Sequence, residues 1–131
     1  MESMVTAELN SMNQNFWTGK NVLITGHTGF KGSWLSLWLN MLGANVSGYA
    51  LEPLTINDNF VLTGLDNNIN HAVGDIRDYN QLQEFFRQVN PEIVFHLAAQ
   101  PLVRGIIQQP QSYLRYQCRR NRQPARMLPP D

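Results

Sequence analysis

The sequence predicts an α/β fold: a doubly wound parallel sheet of about four strands, incomplete as it stands. Three observations carry this. Short apolar, β-branched runs alternate with segments of helical periodicity. A glycine-rich turn joins the first run to the first helix. The links are short, which demands parallel strands with crossover helices on both faces. The 131 residues suit one domain. A composition of 43% hydrophobic and 15% charged residues is that of a globular chain and excludes the low-complexity and disulfide-rich classes. The single cysteine, Cys118, excludes an internal disulfide and a cysteine-based metal cluster, and no metal site is expected. No run of about 18 apolar residues occurs, so no membrane contact is expected. The first fifteen residues lack the basic start and apolar run of a signal peptide, so a cytoplasmic setting is expected.

The elements follow in order. Residues 1–15 are polar and are expected to form a disordered leader, with Met4 and Met12 as alternative starts; order is expected from Phe16–Trp17. Asn21-Val-Leu-Ile-Thr25, bounded by Gly19 and Gly26, has the character of a buried strand. Ser33 to Leu42 is apolar over most of a helical circumference, so a helix lying on a sheet is expected, with Trp34 and Trp38 in its core. Gly43 is its stop signal. Asn45 to Leu51 gives the second strand, closed by Pro53. Thr55 to Asn70 is rich in Asn, Asp and Thr and predicts mostly loop with one short helix. His71-Ala-Val-Gly74 is a weak third strand. Asp78 is a good N-cap for a helix over Tyr79–Gln88, whose Leu82, Phe85, Phe86 and Val89 share an apolar face. Glu92 to Ala98 is the fourth strand. With only four strands, one side of the sheet is expected to lie uncovered, with marginal stability as the result.

The turn Gly26-x-x-Gly29-x-x-Gly32 stands between a strand and a helix, where a phosphate can approach the backbone. Gly26 would allow the tight turn, Gly29 the close approach, and Gly32 the packing of helix on strand. The N–H groups and dipole of the helix then favour the pyrophosphate of a dinucleotide. This makes the expected sheet Rossmann-type. An NAD site usually carries an acid about 20 residues beyond the glycines, for the ribose hydroxyls. Glu52 is the one candidate and lies a few residues late, while Lys31 could attract a 2′-phosphate, so the residues alone leave NAD and NADP open.

Several segments carry a resemblance. Trp17-Thr-Gly-Lys20, the run Val22 to Leu35 with its His-Thr-Gly-Phe-Lys-Gly-Ser-Trp core, Gly48-Tyr-Ala-Leu51, Gly74-Asp-Ile-Arg-Asp78 and Pro91 to Arg104 with its His-Leu-Ala-Ala-Gln-Pro-Leu-Val-Arg are similar to the CDP-glucose 4,6-dehydratase family. That family lies in the extended branch of the short-chain dehydrogenases/reductases. The likeness runs from about Phe16 to Arg104, so residues 16–104 resemble the amino-terminal part of its NAD-binding domain.

The resemblance implies NAD as cofactor and CDP-glucose as substrate. Gly26, Gly29, Phe30, Lys31 and Gly32 would line the pyrophosphate and adenosine ribose. The Asp75 carboxylate and the Ile76 backbone would meet adenine. Leu97, Ala98 and Ala99 would border the ribose and nicotinamide, and Gln100 and Arg104 would open the wall of the sugar-nucleotide cleft. Without the family, Asp75 is equally well a turn cap and Lys31 a solvated lysine; His27, His71 and His96 have no assigned partner. The family's reaction is a lyase step. NAD⁺ takes hydride from C4 of the sugar, water leaves across C5–C6, and the hydride returns to C6. The 4-keto-6-deoxy product leads to the dideoxysugars of surface polysaccharide such as lipopolysaccharide O-antigen. The full-length family implies a homo-oligomer. The reaction needs a Tyr-x-x-x-Lys pair, and none exists here, since both lysines precede residue 33. No catalytic residue is therefore assigned, and the expectation is a truncated chain without activity of its own. The alternative is a stand-alone dinucleotide-binding or partner-binding module.

Charge divides the chain. Residues 1–104 hold nine acids and five bases; residues 105–131 hold five arginines and one acid. A basic tail could be a solvated run or a nucleic-acid contact, but neither is favoured. Where the family continues into a helix with Thr-Tyr-x-x-Asn-Val-x-Gly-Thr, codons for Tyr113 to Arg122 can be chosen that give Thr-Tyr-Asp-Ile-Asn-Val-Val-Gly-Thr one nucleotide later. Residues 105–131 are therefore expected to be an aberrant, frameshifted tail, with the base change near residues 105–111, and no nucleic-acid partner is expected.

Overall fold

The computed structural model describes residues 15–99 and the single position 111. The expected leader, apart from residue 15, and all but one position of the expected basic tail lie outside the described residues, as do Gln100 and Arg104. Residues 15–17 are already helical. The regular elements are β1 (Asn21–Thr25), α1 (Phe30–Met41), β2 (Asn45–Ala50), a one-turn α2 (Asn59–Leu62), a 3-10 turn (Leu65–Asn67), β3 (Asn70–Val73), α3 (Tyr79–Val89) and β4 (Ile93–His96).

The four strands form one parallel sheet in the order β3-β2-β1-β4. Val22 stands opposite Val46 on one side and Ile93 on the other. The chain steps outward from β1 to β2 to β3, then returns past both to place β4 beside β1. The carboxyl ends of β1 and β4 therefore flank the point where the strand order reverses, which is where open α/β sheets bind ligands.

Alternation along β1 sorts its side chains between two cores. Leu23 faces one side, with Tyr49, Ile76, Ala98 and the Leu82 and Phe85 of α3. Val22 and Ile24 face the other, with Val46, Ala44 and the Leu39 of α1. Each face thus carries a helix, which corrects the expectation of an uncovered side. The weakness lies at β4, whose four residues are all half-buried.

The caps show how sequence sets the helix ends. Asp78 accepts from the Gln81 N–H at 3.1 Å, as expected, and α3 stops at Asn90, which takes the left-handed conformation at φ 45° and donates to the Phe86 carbonyl. Helix α1 starts at Phe30, three residues earlier than its apolar run suggested. Its N-cap is extended Gly29, with no side-chain cap. It ends into Gly43, whose φ of +87° suits glycine.

Trp34 and Trp38 are not core residues, contrary to expectation; they are 51% and 62% exposed. Helix α1 turns its small residues inward instead. Gly32, Ser33, Ser36 and Leu39 are buried, and Ser36 donates back to the Gly32 carbonyl at 2.7 Å. The closeness of α1 to the glycine loop admits only small side chains on that face. The tryptophans and Met41, spaced four and three apart, form the outward stripe. Urea unfolding should separate the two faces. Leu39→Ala is expected to cost about 2–5 kcal/mol by opening a cavity, and Trp38→Ala no more than about 1 kcal/mol.

Candidate dinucleotide-binding site

The site is built where β1, β2 and β4 end. Gly26 follows β1 in a left-handed turn (φ +79°), with its N–H on the Tyr49 carbonyl at 3.0 Å. A Cβ there would come within 2.7 Å of the Ala98 backbone nitrogen. Glycine is therefore required twice at this position, for its conformation and for the backbone of residues 97–98 pressed against it. A Cβ on Gly32 would be driven into the Gly26 carbonyl, so the first turn of α1 also closes on the loop. Gly29 differs: its φ is ordinary, and a Cβ would meet only the Gly26 carbonyl at 3.4 Å. The space around Gly29 is otherwise open, and the first N–H groups of any α-helix lack intrahelical partners. Gly26 and Gly32 thus allow backbone packing that a Cβ would forbid, while Gly29 leaves space at the start of α1.

Hydrogen bonds hold the strand ends to this loop. Thr25 Oγ1 and His96 Nδ1 lie 2.6 Å apart, the Ala98 N–H donates to Thr25 Oγ1 at 3.4 Å, and the Leu97 N–H donates to the Thr25 carbonyl at 3.0 Å. Ala98 is buried, while Leu97 and Ala99 are exposed beside the loop. Phe30 and Lys31 project from the first turn of α1 into solvent.

The end of β3 forms a second corner. Buried Tyr49 packs beneath Gly74, and its hydroxyl lies 3.3 Å from the Asp75 carbonyl and 3.2 Å from Gln81 Oε1. Burial, with the charges of Asp78 and Asp75, pushes its pKa up to about 12. Ile76 turns its side chain into the core. The Asp75 carboxylate accepts from the Arg77 N–H at 2.9 Å and from Arg77 Nε and Nη2, so the guanidinium fork sets its plane. Glu52, just beyond β2, and Lys31 are both exposed.

His27, whose role the sequence left open, is fully buried inside the glycine loop. Its Nε2 lies 3.2 Å from His71 Nδ1, and its ring packs edge-on against Phe60. Gly48 makes room for it, since a Cβ there would strike the ring. A glycine inside the second strand was the one sequence signal of such a close approach. His96, also unassigned, serves the Thr25 network described above. Among the described residues, no three His, Cys, Asp or Glu side chains gather as a metal site would require. No helix among them is long and apolar enough to cross a membrane.

A parallel sheet with a glycine turn at its switch point defines the Rossmann class of dinucleotide-binding folds. Residues 23–119 match the model of the GDP-mannose 4,6 dehydratase family, and the chain belongs to that family. It is 52% identical over 99 residues to the CDP-glucose 4,6-dehydratase of Salmonella typhimurium, covering 76% of this chain and 28% of that protein. Among solved structures, an epimerase of Methanothermobacter thermautotrophicus is 31% identical with a TM-score of 0.67, covering 81% of this chain and 30% of the other. The UDP-glucose 4-epimerase of Brucella ovis, solved in complex with NAD, is 27% identical with a TM-score of 0.66 and coverages of 80% and 30%. The chain thus spans less than a third of the length of these relatives.

Burial of His27 gives the site a pH dependence. Desolvation, then the neighbouring His71, lowers its pKa from 6.5 to about 4, against a raising contribution from the Tyr49 carbonyl. Between those values the unfolded chain binds a proton that the folded chain refuses. Stability is therefore complete above about pH 6.5 and falls as the pH drops towards 4. Thermal melting at pH 7.5 and 5 should show this loss, and His27→Gln should flatten it.

Proposed function

We propose that this chain is the NAD-binding part of a CDP-glucose 4,6-dehydratase. The observation that carries the reading is the 52% identity to such an enzyme over 99 residues, together with a family match whose residues 23–119 include the glycine loop. Open space before Gly29, at the start of α1, suits the pyrophosphate. Phe30, Lys31 and Gly32 flank that space. The Ile76 N–H and the Asp75 carboxylate, oriented by Arg77, would read the adenine ring and its exocyclic amine. Leu97, Ala98 and Ala99 would border the ribose and nicotinamide, and Gln100 and Arg104 would begin the wall for CDP-glucose. Bound NAD⁺ would supply a hydride acceptor. The residues of this chain would bind and orient it, with none of them moving the proton.

The sequence holds no Tyr-x-x-x-Lys pair. The reading is therefore of a lyase component that binds but does not turn over, in a route to the dideoxysugars of surface polysaccharide. In the complete enzyme we place it in the cytoplasm as a homo-oligomer. Residues 105–131 are taken as out-of-frame sequence. DNA whose alternate frame fails to encode Thr-Tyr-x-x-Asn-Val-x-Gly-Thr there would refute that part alone.

Calorimetric titration and a turnover assay test the reading. Saturable NAD⁺ binding is expected, with Gly26→Val abolishing it. No alkali-absorbing 4-keto-6-deoxy product should form from CDP-glucose and NAD⁺. Turnover by this chain alone, or no NAD⁺ binding, would contradict it.

A further inference from the structure

Three sets of contacts tie the glycine loop and the first turn of α1 to β3 and the chain that precedes it. The Thr28 hydroxyl donates to the Leu51 carbonyl at 2.9 Å. The His27 ring is wedged against Phe60 and His71. Asn59 Nδ2 donates to the Ser33 hydroxyl at 2.8 Å, in the first turn of α1. Ser33 is fully buried and passes the bond on. Its hydroxyl donates to the Phe30 carbonyl at 2.9 Å, and its N–H to the Gly29 carbonyl at 2.9 Å. One side chain from a distant segment therefore reaches the first turn of α1, beside the open space around Gly29.

We propose that Asn59 is a positioning residue for the pyrophosphate cradle: through Ser33 it fixes the first turn of α1 in the orientation that receives the phosphates. This rests on the dinucleotide reading above. Asn59 is not needed to form its own helix. The Asp58 carboxylate accepts from the N–H groups of Leu54 and Thr55 and from the Thr55 hydroxyl. The Thr63 hydroxyl donates to the Asn59 carbonyl at 2.7 Å, and Phe60 is buried. These hold α2 in place whatever stands at position 59. What the amide adds is directed outward from α2, onto Ser33. Losing it removes a donor from a buried hydroxyl at the cradle, which costs order there and nowhere else.

The test compares the full chain with its Asn59→Ala variant. Amide hydrogen exchange is read at Ser33, Trp34 and across α3, and affinities are measured for NAD⁺, ADP-ribose and adenosine. Faster exchange is expected at Ser33 and Trp34 with α3 unchanged. NAD⁺ and ADP-ribose should bind about fivefold more weakly, the factor for one ordinary hydrogen bond, while adenosine, which lacks phosphate, binds unchanged. Unchanged exchange at Ser33 and Trp34 would overturn the proposal. So would an equal loss for adenosine, or faster exchange throughout α3, since either marks a general structural role. If the unaltered chain bound neither NAD⁺ nor ADP-ribose, the dinucleotide reading would fail, and the proposal of a phosphate cradle would fall with it whatever the exchange showed. With binding present, loss in the variant alone assigns the effect to Asn59.

Discussion

The backbone contact between Gly26 and residues 97–98 is the constraint on which the rest of the site depends. Two strands that are neighbours in the sheet but 71 residues apart in register end side by side, and their chains touch through the one residue without a side chain. That contact sets where the loop turns. The turn then sets where α1 begins, because Gly32 must sit on the Gly26 carbonyl. The open face of Gly29 follows from both. The recess proposed to take phosphate is thus a by-product of packing two strand ends and a helix as tightly as backbone atoms allow.

The same tightness explains the unusual face of α1. Small residues must point inward, so the bulky apolar ones point out. It also explains why the loop needs outside support. A turn built from glycines gains little from its own side chains, and its order comes from its neighbours: Thr25 and His96 on one flank, His71, Phe60 and Asn59 on the other. Burial of His27 among them is bought with a depressed pKa.

Much of this was legible in the sequence, for physical reasons. The Asn21–Thr25 strand, the Asp78 cap and the glycine spacing depend on neighbours within a few residues, and local chemistry decides them. The start of α1 differs from the expectation because Gly26 to Gly32 has the composition of a loop, while the helix already turns at Phe30, whose side chain is exposed. Trp34 and Trp38 were assigned to the core because α1 is apolar nearly all round. Volume decided the matter, since a helix pressed against a loop can accept Ser33 and Ser36 on its inner face but not an indole. The partners of His27 and Ser33 lie 44 and 26 residues away along the chain, and no periodicity encodes them. The Asp78 cap after β3 follows from its own neighbourhood, but the Arg77 fork that orients Asp75 is visible only in the folded structure.

The most direct measurement is an NMR titration of the isotope-labelled chain with NAD⁺. The account predicts that the largest amide shifts fall on residues 26–33, with a second group at 75–77 and a third at 97–98, all saturating together. Shifts confined to other parts of the sheet, or none in the glycine loop at saturating ligand, would contradict it.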